Sequence, residues 1–138
     1  MNSNSIIIID DDDDDLELIK QAFEALKVEN EIIIFNDGHA FLDYMRETDK
    51  KTFFILCDIN MSKIDGLELK KLIHDDERLR IKCVPFLFLA TIGASSSIMR
   101  AYSFDVQGYF IKPNTFDEIK RLLKNIMTYW TVSQHPNA

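Results

Sequence analysis

The chain has 138 residues and 46 % apolar content. That is one domain's worth of sequence, long enough to bury a core without a disulfide or metal staple. Its net charge of −7 excludes the basic face that nonspecific nucleic-acid binding needs and argues equally against an anionic membrane surface. Six of the acids form one unbroken run at residues 10–15, so the rest of the chain carries only −1.

The first apolar run, residues 6–9, is four isoleucines that lead straight into the aspartates. No basic stretch precedes it, so no secretory leader is expected. No run approaches the ~18 apolar residues of a bilayer span. Residues 6–9 read as a first strand. Leu16, Ile19, Phe23 and Leu26 then fall on one helix face, with Asp15 or a neighbour as the expected cap. A second strand at 32–35 is followed by a helix around Phe41, Leu42 and Met45. A third strand at 53–57 precedes a helix begun near Gly66, with Leu69, Leu72 and Ile73 on its apolar face. The fourth strand, 85–89, opens on Pro85, which need not donate to the ladder. A fourth helix over 96–104 is expected to be capped by Ser95 or Ser96. A fifth strand at 109–111 leads to a long helix carrying Phe116, Ile119, Leu123, Ile126 and Trp130, with Asn114 or Thr115 as cap. Residues 131–138 read as a polar, frayed tail.

The strand runs are continuous rather than alternating, as when both faces of a parallel sheet are covered. Five strand–helix units predict an α/β, flavodoxin-like, doubly wound parallel sheet in the order 2-1-3-4-5. The expected organisation is one domain over 1–138, with a core at about 5–130 and a flexible tail at 131–138. Cys57 and Cys83 match no metal or redox spacing and read as reduced thiols of a cytosolic protein. His39, His74 and His135 stand alone and do not suggest zinc. Lys70, Lys71, Arg78 and Arg80 read as solvated faces, Met61 and Met99 as packing, and Tyr129 and Trp130 as cover for the sheet.

Ligands of such a sheet bind beyond the carboxyl ends of its strands, near the first and third. The residues expected there are Asp10 and Asp11, Asp58, Ala90 and Thr91, and Lys112 with Pro113. Three carboxylates repel one another unless a cation joins them. Mg²⁺ suits such a set because it accepts a few carboxylate oxygens and keeps water or phosphate oxygens. A charged lysine cannot ligate the metal but can bind a phosphoryl oxygen. A carboxylate between the two can act as nucleophile and form an aspartyl phosphate, and Asp58 on the central third strand is best placed.

These residues resemble a response-regulator receiver domain. The resemblance rests on Asp10-Asp11 after an Ile-rich strand, Asp58-Ile59-Asn60-Met61 with Asp65-Gly66, and Lys112-Pro113 after Gly108-Tyr109. It covers about residues 5–130 and is similar to single-domain receivers of the chemotaxis-regulator and phytochrome-associated kinds. Asp15 with Leu18-Ile19 and the Tyr129-Trp130 ending lean toward the second kind. The resemblance implies that Asp58 accepts a phosphoryl group from a sensor histidine kinase or phosphotransfer protein. It implies Mg²⁺ held by Asp10, Asp11, Asp58 and the Asn60 backbone carbonyl, with Lys112 on the phosphoryl oxygens. It further implies a cis Lys112–Pro113 bond and Tyr109 as the switch aromatic. Output would pass to a homodimer or a downstream protein through the face of the fourth helix, fifth strand and fifth helix.

Two positions depart from the family pattern. Ser62 stands where proline is usual. Twenty-two residues before Lys112, where the family carries its switch hydroxyl, stands Ala90. Thr91 is next door, but one step along a strand turns a side chain to the other face. The expected consequence is a missing or displaced switch hydroxyl, with phosphotransfer to Asp58 intact and its coupling to Tyr109 weakened. A haloacid-dehalogenase-like phosphatase would need an Asp two residues after the nucleophile, and Asn60 stands there. A receiver-like interaction module that works without phosphate is the remaining alternative, and Ala90 is the residue that favours it.

Overall fold

Residues 3–137 are described by a computed structural model. Five parallel strands alternate with helices: β1 (Ser5–Ile9), α1 (Asp13–Ala25), β2 (Ile32–Phe35), α2 (Gly38–Glu47), β3 (Thr52–Asp58), α3 (Gly66–Asp75), α4 (Glu77–Lys82), β4 (Phe86–Ala90), α5 (Ser95–Ser103), β5 (Gly108–Ile111) and α6 (Phe116–Val132). The sheet order is β2-β1-β3-β4-β5, the expected doubly wound arrangement.

The continuous apolar runs have a direct structural cause. Side chains of a strand alternate between faces, and here both faces are covered. Ile7, Ile9, Ile55, Cys57, Phe86, Phe88 and Ala90 pack into the layer with α2, α3 and α5. Ile6, Ile8, Phe54, Leu56, Leu87 and Leu89 pack into the layer with α1 and α6. Polar residues at either set of positions would be buried without partners, so neither set can alternate.

The register aligns the carboxyl ends of the strands. Ile9 pairs with Phe35 and Cys57, Asp58 with Leu89, and Ala90 with Ile111. Asp10, Asp58, Ala90 and Lys112 therefore reach one edge of the sheet together.

Several local expectations are corrected. A sixth helix, α4, was not expected: it is six residues long and buries only Leu79, so it presents no apolar stripe. Its start is set by Asp76, whose carboxylate accepts from the Arg78 and Leu79 N–H groups. Asp12, not Asp15, caps α1, accepting from the N–H groups of Asp14 and Asp15. Ala94 precedes α5, and no side chain caps that helix. Leu72 is largely exposed, whereas Lys70 is buried with its ammonium 5.5 Å above the Phe86 ring. Burial lowers the Lys70 pKa, and the ring face offers part of the compensation. Met99 and Tyr129 are exposed, while Trp130 packs on the sheet layer. The cis bond lies at Val84–Pro85 and not at Lys112–Pro113.

The last segment is anchored rather than frayed. Asn137 donates its side-chain amide to the carbonyls of Thr52 (3.2 Å) and Val84 (2.8 Å), and His135 pairs with the Phe53 carbonyl. Ala138 lies outside the described residues. Among the described residues, no helix is long and apolar enough to cross a membrane.

Candidate functional site

Asp10 leaves β1 as the chain turns toward α1. Its carboxylate is held by the Asp12 N–H at 2.9 Å and is almost fully buried. Asp11, exposed on the turn, accepts two hydrogen bonds from Ser62, one from N–H (2.8 Å) and one from the hydroxyl (3.1 Å). Asp58 ends β3, buried, and accepts from the Asn60 N–H at 3.4 Å. One oxygen from each of these aspartates lies within 4.8 Å of the others, a grouping that can hold a metal ion.

The backbone allows this because of Gly66. A Cβ there would sit 2.6 Å from the Asp58 carbonyl oxygen and 2.8 Å from the Phe88 ring. The first turn of α3 can press against the end of β3 only without a side chain. The Asp65–Glu68 capping box then fixes where α3 begins.

Lys112 closes the site from β5. Its N–H extends the ladder to the Ala90 carbonyl at 2.7 Å. Its ammonium lies 3.4 Å from Asp10, 3.5 Å from Asp58 and 2.8 Å from Asp15. The charges are strongly coupled. Burial pushes the Asp10 carboxyl up to about 6, against the Asp12 hydrogen bond and the Lys112 charge. Burial raises Asp58 in the same way. Lys112 moves up despite its own burial, because Asp15, Asp10 and Asp58 surround it. Acids held above their usual range by desolvation and mutual repulsion are the electrostatic signature of a site that gains from a cation. The carboxylate donor set suits a hard ion such as Mg²⁺.

The expected switch positions separate. Ala90 is buried beside Ala101, Phe88 and Val106 in the layer with α3 and α5. Thr91 is exposed on the opposite side, where it lines a cavity of about 260 Å³ with Asp15, Leu89 and Lys112. The Tyr109 hydroxyl donates to the Ile92 carbonyl at 3.4 Å, and its ring meets Phe88 edge-on. Burial raises the Tyr109 pKa, so it stays a neutral donor. Both cysteines are buried free thiols; burial pushes Cys57 up and Cys83 to about 12, which leaves neither as a nucleophile.

Sequence reasoning missed two participants, Asp15 and Ser62. With Asp12 as cap, Asp15 becomes the third residue of α1, and its carboxylate accepts from Lys112. Placing the cap at Asp12 would have revealed it.

A family model for the response regulator receiver domain matches residues 6–124. The chain is 38 % identical over 117 residues to the probable methanogenesis regulatory protein FilR2 of Methanothrix harundinacea, covering 82 % of this chain and 74 % of that protein. It is 27 % identical over 106 residues to the transcriptional regulatory protein ZraR of Klebsiella oxytoca, covering 76 % of this chain but only 22 % of ZraR. Among solved structures it resembles the phosphorylated cyanobacterial phytochrome response regulator RcpA. The TM-score is 0.86, with 25 % identity over 98 % of this chain and 99 % of that one. The chain belongs to the response-regulator receiver family.

Proposed function

We propose that this chain is the phosphoacceptor of a two-component signalling pair, with Asp58 as the acceptor. The observation that carries the reading is the Lys112 ammonium 3.5 Å from Asp58, beside three carboxylates that can share one cation. A structural neighbour whose phosphorylated form has been solved supports it.

The donor is a sensor histidine kinase or phosphotransfer protein. An Asp58 oxygen forms a bond to phosphorus as the donor's P–N bond breaks, and the imidazole leaves with the electron pair. Asp10, Asp11, Asp58 and the Asn60 backbone carbonyl would hold Mg²⁺. When bound, the ion supplies positive charge to the transferring phosphoryl oxygens. Lys112 supplies the second positive charge and neutralises the acyl phosphate. On this reading the only chemistry of the chain is its own phosphorylation and dephosphorylation, and it acts as a signalling domain.

Output runs through α5, β5 and α6, where Met99, Tyr102 and Ile111 are exposed. The proposed receivers of the signal are a homodimer mate or a downstream protein in the cytoplasm. Ala90 supports a second reading, in which this face binds its partner independently of phosphate, since no hydroxyl sits there to pull on Tyr109.

Mg²⁺ with beryllofluoride tests both. A saturable ¹⁹F NMR signal that disappears in Asp58→Asn supports phosphoacceptance. Its absence at saturating Mg²⁺ overturns that reading and leaves the phosphate-independent module.

A further inference from the structure

The shortest contact of Lys112 is with neither Asp58 nor Asp10 but with Asp15, at 2.8 Å. An ammonium has three N–H donors. Here it donates to Asp15 at 2.8 Å and to Asp10 at 3.4 Å, and it pairs with Asp58 at 3.5 Å. A phosphoryl group on Asp58 draws the ammonium toward its own oxygens, in competition with the carboxylates that hold it at rest.

The three differ in what that costs. Asp10 is almost fully buried, so stranding its charge is expensive. Asp58 is the group being modified. The Asp15 side chain is 31 % exposed and can be rehydrated when its partner leaves. It also lines the 260 Å³ cavity with Lys112 and Thr91, which gives the carboxylate room to turn away. Asp15 stands on the first turn of α1, which Asp12 caps independently of the lysine. Releasing it therefore unfolds nothing.

We infer that Asp15 is an internal competitor for the Lys112 ammonium, occupying it in the resting protein and surrendering it to the phosphoryl group. The inference rests on the phosphoacceptor reading above. Asp15 is a positioning residue: it touches no reacting atom and acts through Lys112. The resting charge of Lys112 is thereby satisfied, and the site pays part of its phosphoryl affinity to break that pair.

The test uses the full chain, with beryllofluoride as the phosphoryl probe and Mg²⁺ held saturating for each variant after a separate Mg²⁺ titration. Asp15→Asn keeps the shape and removes the charge. Its beryllofluoride half-saturation should fall about three- to tenfold below the parent, the range of a partly buried charged contact. Asp15→Glu keeps the charge on a longer arm and should return most of the way to the parent value. In the parent, the ¹³C shift of the Asp15 carboxylate should move with adduct formation, in step with the ¹⁹F signal. A higher half-saturation in Asp15→Asn would mean that Asp15 presents the lysine, and an unchanged one that it does not compete. Either overturns the inference, as does an Asp15 shift that ignores the adduct. Failure of the parent to bind beryllofluoride at Asp58 instead overturns the phosphoacceptor reading itself.

Discussion

Ser62 donates twice to a single oxygen of Asp11, from its backbone at 2.8 Å and from its hydroxyl at 3.1 Å, across 51 positions of sequence. A proline at this position would supply neither donor. The pair ties the loop after β3 to the turn after β1 and fixes the one exposed carboxylate of the acidic trio.

Carboxylates oriented by neighbouring donors make better metal ligands. Ser62→Ala removes the hydroxyl and keeps the N–H, so it should weaken Mg²⁺ binding about two- to threefold, or ~0.5 kcal/mol. Isothermal titration calorimetry measures this directly. Tighter binding in the variant would show that Ser62 withholds Asp11 from the metal.

The raised Asp10 carboxyl sets a pH dependence with a definite sign. Metal binding requires the ionised acid, so protons compete below about pH 6. The apparent Mg²⁺ dissociation constant should weaken about tenfold between pH 7 and pH 5. In the metal-free protein the proton is held more tightly folded than unfolded. The stability this contributes is complete below the ordinary carboxylate value of 3.8 and is lost as pH rises through about 6. Chemical denaturation at a series of pH values should show that loss, and Asp10→Asn should flatten it.

The aspartate run divides by role, and heat will report the division. Millimolar Mg²⁺ should raise the parent's Tm by several degrees through mass action, and EDTA should reverse the rise. Asp11→Asn should abolish most of it. Asp14→Asn should keep it, because Asp14 is exposed and its side chain is no part of the trio.

Ala90 is buried in the layer that holds Ala101 of α5 and against which Tyr109 packs, so a hydroxyl there would lie between the site and that helix. Ala90→Thr should enlarge the beryllofluoride-dependent change in α5 amide shifts. Ala90→Val adds nearly the same volume without the oxygen and should not. Both will cost about 1–3 kcal/mol if the pocket cannot yield, which a melt separates from the signalling effect. Equal shifts in parent, Thr and Val proteins would remove Ala90 from the account of the switch.

The sheet was legible because burial on two faces leaves an unmistakable mark: Ile, Phe and Leu without interruption. The trio of Asp10, Asp11 and Asp58 followed once the strand order placed their carboxyl ends together. What stayed hidden depends on geometry at single residues. Helix α4 hides because Leu79 alone is buried. Lys70 looked solvated because composition does not say which residues of α3 are buried or that Phe86 lies under this ammonium. Asp15 was read as a cap because six identical side chains in a row give no clue to where the helix begins, and one residue's difference decides which of them meets Lys112. Ser62 looked like a loosened loop because a donor's value depends on what lies opposite.

The anchoring of the last segment has a consequence for how this protein can be watched. The only tryptophan, Trp130, sits 6.0 Å from the His135 ring on the final turns of α6, some fourteen residues and about 21 Å of helix from the Lys112 end. Its emission will report the docking of that segment. It will be nearly blind to a cation arriving among the aspartates. An indole placed on the loop after β3 would make the opposite pole of the molecule luminous and leave the native reporter as an internal reference.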